Sequence, residues 1–216
     1  MALLPDSSTL AVLDYAGIAV FAATGALAAA RRGQTLVTFA FFAAVTGVGG
    51  GTLRDLLLGA PVFWVREPRY IAICIAVAGL IWSLGARRWG QSVLLWLDAV
   101  GLAAYAVAGA AKASEYGAPP LISVAMGVLT ASFGGIVRDV LAGRPSVLLS
   151  REIYVSAAVL GAGLFALFRL MGAGPDYAAL VGVGGAFALR AGALALGWSL
   201  PGYVGVEAGD DPPPAP

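Results

Sequence analysis

Two short stretches concentrate the groups that could handle an ion. Residues 49–55 read GGGTLRD and residues 134–139 read GGIVRD, and both lie inside long apolar runs. Each glycine weakens a helix by about 1 kcal/mol relative to alanine, and a cluster of them invites a kink or a broken turn. A break inside a membrane frees backbone carbonyls, which must then face protein or water. Such carbonyls suit a partly dehydrated cation, together with the hydroxyls of Thr46 and Thr52 in the first stretch and Thr130 and Ser132 in the second. The candidate kink residues are Gly49, Gly50 and Gly51, and Gly134 and Gly135. The same glycines have a plainer use, since small residues let membrane helices pack closely.

The charges that follow are Arg54 and Asp55, and Arg138 and Asp139. A charge near the bilayer centre costs about 2.5–3.5 kcal/mol on insertion scales, so it pairs or faces a water-filled cavity. Neighbours on a helix point about 100° apart, which disfavours pairing within each Arg-Asp dipeptide. Partners on other helices are therefore expected, and Asp14 and Asp98 are the candidates. Bracing the kinks and lining a pathway are both open to these charges. Helix capping is the alternative for the two aspartates, and snorkelling to headgroups for the arginines. Arg190 lies in another apolar run and is not assigned to the pathway.

Composition narrows the chemistry. The 216-residue chain is 60% hydrophobic and 12% charged, where a soluble domain carries about 25% charge. An integral membrane protein is the class that accommodates this excess of apolar residues. The net charge of +1 is too small and scattered for a nucleic-acid surface. Cys74 is the single cysteine and there is no histidine, so internal disulfides, cysteine clusters and histidine chemistry are excluded. The Walker spacing is absent as well. No catalytic residues, cofactor or resident metal are expected.

The elements that must position the motifs follow from the apolar runs. A bilayer core of about 30 Å needs roughly 20 apolar residues per helix. Seven such spans fit residues 10–30, 36–58, 69–85, 92–111, 120–141, 152–171 and 177–200. The first run has no basic leader and reads as a retained helix rather than a cleaved signal. Residues 1–206 are expected to form one membrane domain, and the proline-rich residues 207–216 a short disordered tail. Alternate loops hold Arg31, Arg32, Arg87, Arg88, Arg144 and Arg151 against Arg66, Arg69, Lys112 and Arg169. That bias predicts an external N-terminus and a cytoplasmic C-terminus. Trp64, Trp82, Trp89, Trp96 and Trp198 read as interfacial anchors.

One offset of 84 positions links Asp14 with Asp98, Gly50 with Gly134, Arg54 with Arg138, Asp55 with Asp139, Pro61 with Pro145 and Tyr70 with Tyr154, without a gap. Each unit, residues 10–86 and 94–170, holds three predicted helices, and residues 177–200 form a seventh outside them. Three is odd, so the second unit enters the membrane from the opposite side. The fold class is thus an all-α membrane protein of two inverted three-helix repeats plus one helix, an arrangement with its pathway at the repeat interface.

Paired GGxxRD-type segments on the second and fifth of seven helices resemble those of the TRIC family, the trimeric intracellular cation channels. The resemblance spans nearly the whole chain. It implies a homotrimer in a prokaryotic inner membrane, each protomer carrying its own pathway for monovalent cations, chiefly K⁺ with Na⁺ as a second permeant ion. It also implies that the second and fifth helices kink at Gly49–Gly51 and Gly134–Gly135 and line that pathway. Arg54, Asp55, Arg138 and Asp139 would stand beside it. The Lys-Glu-Val motif of animal members is missing here, so their inositol-lipid binding is not implied. Phe133 stands where the first unit has Gly49, and is expected to act as a hydrophobic constriction. A secondary transporter for a small polar solute such as an amino acid is the competing reading of an inverted repeat.

Overall fold

The computed structural model describes residues 8–85, 90–147 and 152–201. Its helices are α1 (Ser8–Arg31), α2 (Leu36–Leu57), α3 (Phe63–Arg66), α4 (Arg69–Leu84), α5 (Gln91–Glu115), α6 (Pro120–Leu141), α7 (Val155–Leu170) and α8 (Pro175–Leu196). Seven are substantial, as the apolar runs predict. α3 is a single extra turn in a segment read as loop. Five are long and apolar enough to cross a bilayer, whereas α4 and α7 each have 16 residues. At 1.5 Å per residue these two rise only about 24 Å. Both are the third helix of a unit, so the shortness itself obeys the repeat.

The two halves, α1–α2–α4 and α5–α6–α7, pack as inverted copies. α1 crosses α5 and α2 crosses α6; α4 lies on α1 and α2, and α7 on α5 and α6. At the α1–α5 crossing, Gly17 faces the Tyr105 ring and Gly101 faces the Phe21 ring, two contacts related by the same offset of 84. The two rings meet each other at 5.2 Å. Lipid takes the outer surface, where Val37 and Leu121 are 79% and 78% exposed; in water such a surface would aggregate. α8 packs on α7 and α5 and has no counterpart.

Three expectations change. α2 and α6 stay helical through Gly49–Gly51 and Gly134–Gly135, so the expected broken turns are absent. The glycines serve close approach instead: a Cβ on Gly50 would run into the Thr130 carbonyl, and one on Gly134 into the Thr46 carbonyl. With backbones in direct contact, packing offsets the weaker helix propensity and a break has no driving force. The last span ends at Leu196 rather than residue 200, because Gly197 takes a left-handed conformation (φ 69°) that stops the helix. Asp14 and Asp98 lie well inside α1 and α5, too far from the first turn to cap it. Arg87, Arg88, Trp89, Arg151 and the tail 207–216 fall outside the described residues.

Candidate functional site

The α2–α6 crossing carries a charged cluster at each end, on opposite sides of the bundle. The C-terminal turns of α2 and α6 build them. Each helix is closed by a glycine with positive φ, Gly59 (64°) and Gly143 (59°). The Asp55 and Asp139 carbonyls there accept from Ala60 and Arg144 amides at 2.8 and 2.9 Å. This wrapped end turns the following loop back toward the aspartate side chain. The Phe63 amide then donates to Asp55 Oδ2 (3.0 Å), and the Val147 amide donates to Asp139 Oδ2 (3.4 Å).

The arginines do not behave as the helix angle predicts. Arg54 Nε donates to Asp55 Oδ1 at 2.8 Å, and Arg138 Nε to Asp139 Oδ1 at 2.9 Å. A three-carbon stem is long enough to fold a guanidinium back across one residue, and burial rewards the pair. Arg54 is 3% exposed, Arg138 1% and Asp55 0%. Partners on other helices are present too, but differ between the ends. At the second end Arg138 Nη1 reaches Asp98 Oδ1 on α5 at 2.6 Å. At the first end Asp14 accepts from Tyr70 (2.8 Å), while Lys112 of α5 binds Asp55 Oδ1 at 2.8 Å.

Lys112 escaped sequence reasoning because it was read as a loop charge; it lies inside α5 with its side chain 21% exposed. A cation only three residues from the end of a span of this length was the available signal. Phe63, on the single-turn helix α3, was missed as well. Its ring lies 5.8 Å from both the Arg54 guanidinium and the Lys112 ammonium, the geometry of cation–π contacts.

Between the ends, the hydroxyls split into two kinds. Thr52 donates to the Val48 carbonyl (2.7 Å) and accepts from Trp64 Nε1 (2.8 Å), and Thr130 donates to the Met126 carbonyl (2.6 Å). Those two are engaged with their own helices. The buried hydroxyls of Thr46 and Ser132 have no partner among the described residues. A Cβ on Gly49 would stand 4.0 Å from the Phe133 ring, so the phenylalanine fills the space its glycine counterpart leaves across the crossing. Gly51 and Gly135 face the Phe63 ring and the Tyr154 hydroxyl instead.

At the second end a cavity of about 360 Å³ opens against the cluster. Asp98, Arg138, Asp139, Arg144 and Glu152 supply its charged lining. Glu152 pairs with Arg190 of α8 at 2.6 Å, so the helix left out of the assignment touches the rim. The arrangement offers fixed charges of both signs, a cavity roomy enough for several waters and a crossing of bare backbone. It offers no nucleophile–base pair, and no group of three metal ligands occurs among the described residues.

A family model described as glycine transporter matches the chain twice, over residues 11–86 and 95–169. A UPF0126 membrane protein of Vibrio cholerae is 38% identical over 203 residues, covering 92% of this chain and 84% of the relative. The UPF0126 inner membrane protein YadS of Escherichia coli K12 is 42% identical over 152 residues, covering 69% of this chain and 73% of that one. Among solved structures, the TRIC trimeric intracellular cation channel orthologue from Rhodobacter sphaeroides superposes with a TM-score of 0.86. It shares 47% identity, over 89% of this chain and all of that one.

Proposed function

The chain belongs to the UPF0126 family of prokaryotic TRIC channel homologues, and from that premise we propose that it is a K⁺-conducting channel working as a homotrimer, each protomer with its own pathway between α2 and α6. One observation carries this reading. The α2–α6 crossing is bare backbone, flanked at both ends by buried charges held by the repeat. At this crossing no large side chain stands between the two backbones, so separating the helices would open a path lined by backbone. Parting would expose the Thr46 and Thr130 carbonyls now covered by Gly134 and Gly50, together with the unpartnered Thr46 and Ser132 hydroxyls. Oxygen ligands of this kind replace the hydration of a monovalent cation. Phe133 narrows the same passage from one side. In this reading the structure is the closed state, with the unit of function one membrane domain of repeats 10–86 and 94–170 and an added helix. The N-terminus is external and the cavity opens to the cytoplasm.

The test is single-channel recording of purified protein in planar bilayers, with bi-ionic KCl/NaCl reversal potentials. Cation currents with K⁺ at least as permeant as Na⁺ are expected; silence across voltage and pH would overturn the reading. A second reading, passage of a zwitterion such as glycine, is favoured by the family description and by a cavity lined with both carboxylates and guanidiniums. Saturable glycine uptake into proteoliposomes, without comparable K⁺ flux, would decide for it.

A further inference from the structure

Arg190 is the third buried arginine among the described residues, 1% exposed, and it stands on the one helix outside both repeats. A buried guanidinium is costly unless it is paired; the Arg190 Nε has no partner among the described residues, and its two terminal nitrogens carry the pairing. Nη2 meets Glu152 Oε2 at 2.6 Å and Nη1 meets the Ile153 carbonyl at 3.3 Å. The guanidinium carbon lies 5.2 Å from the Tyr154 ring centroid. Three consecutive residues are thus gripped by one side chain. The Glu152 backbone is further tied to Ser199 by an isolated antiparallel bridge, so the C-terminal turns of α8 and the residues after them hold the same short segment.

That segment forms the rim of the cavity. Glu152 lines it with its side chain 41% exposed, so the carboxylate faces the water while Arg190 holds it from behind. The described lining has three carboxylates, Asp98, Asp139 and Glu152, against two guanidiniums, Arg138 and Arg144. Arg190 stands just behind the wall, and Arg32 reaches the Gly143 carbonyl at the same end at 3.0 Å. Tyr154 stands beside Asp98, as its counterpart Tyr70 stands beside Asp14, and Arg190 lies against its ring.

We infer that Arg190 is a positioning residue for conduction: it pins Glu152 at the mouth of the Asp98–Arg138–Asp139 cavity and neutralises it there, so this ion pair tunes the fixed charge that permeating cations meet. The inference rests on the channel reading above. Fixed charge in a low-dielectric mouth changes the local concentration of cations, and salt screens the effect.

The experiment records unitary K⁺ currents of wild type, Arg190→Gln, Glu152→Gln and the double variant, each as purified full-length protein. Arg190→Gln uncovers the Glu152 charge and raises the conductance about twofold in about 0.1 M KCl, for current flowing from the cavity side, and the gain fades in about 1 M KCl where the screening length falls to about 3 Å. Glu152→Gln leaves the arginine charge in place and lowers the low-salt conductance by a similar factor. The double variant returns toward the wild-type value. A purely structural brace predicts instead that both single variants lose current at every salt concentration and that the double does not recover. Shifts of the same sign, or shifts indifferent to salt, overturn the inference. Should Arg190→Gln fail to assemble, Glu152→Gln decides alone, since its amide oxygen still accepts from Arg190 and an unchanged low-salt conductance is then fatal. A wild type that does not conduct refutes the channel reading and this inference with it, whereas a conducting wild type with variants indifferent to salt refutes this inference alone.

Discussion

The two ends of the α2–α6 crossing share a frame and differ in charge. At the first, Asp55 is shared by two cations, Arg54 and Lys112, and Asp14 is left to a tyrosine. At the second, the guanidinium of Arg138 is shared by two carboxylates, Asp98 and Asp139. The offset of 84 puts Ala28 where the second end would need the equivalent of Lys112. It also puts Val147 where the first end has Phe63, whose ring faces both cations there. Inversion duplicated the backbone, and a few side chains then made the ends electrically unlike. The two ends therefore present differently arranged charges, one aspartate between two cations and one guanidinium between two carboxylates, so current is expected to differ with direction.

The comparison is broken most severely by Arg138→Gln. It strands two buried carboxylates at once, and removing one partner of a buried pair costs about 3–5 kcal/mol. Melting in detergent is expected to show the fold lost or strongly destabilised. Gly50→Ala attacks the shared frame, since its methyl has only the Thr130 carbonyl to move against; overpacking of this kind costs about 1–3 kcal/mol. Gly134→Ala should cost as much, and unequal losses would mean the crossing is less symmetric than its contacts. Lys112→Gln sharpens the contrast between ends. Asp55 keeps Arg54 and the Phe63 amide, so the stability loss is about 1 kcal/mol. Its main readout is a change in current rectification, and an unaltered current–voltage curve would deny Lys112 any electrical role. Gly49→Ala is the mildest. With 4.0 Å of room before Phe133, it should be neutral or stabilising by up to about 1 kcal/mol.

Much of this was legible in the residues. Apolar runs of bilayer length located all seven substantial helices, because a membrane forces every backbone group to bond within its own segment. The gapless offset exposed the inversion. The Arg-Asp motifs were legible as pieces of a site, but the pairing inside each dipeptide was not. Helical geometry argues against it, and only the burial at the crossing makes the folded-back rotamer worth adopting. Lys112 was visible as a charge late in a span, yet nothing local says that α5 brings it to Asp55.

The glycines mark the division most clearly. Sequence alone determined that α2 and α6 would be weak at Gly49–Gly51 and Gly134–Gly135, and that the two places were equivalent. Propensity and periodicity are properties of a segment. Whether that weakness becomes a broken turn or a seam depended on what lay opposite, and the tertiary structure put the other half's backbone there. The same holds for Arg190, whose cost could be read from its position but whose purpose depended on Glu152, 38 residues away. A charge in a membrane segment states a need, and only packing against other segments supplies the answer.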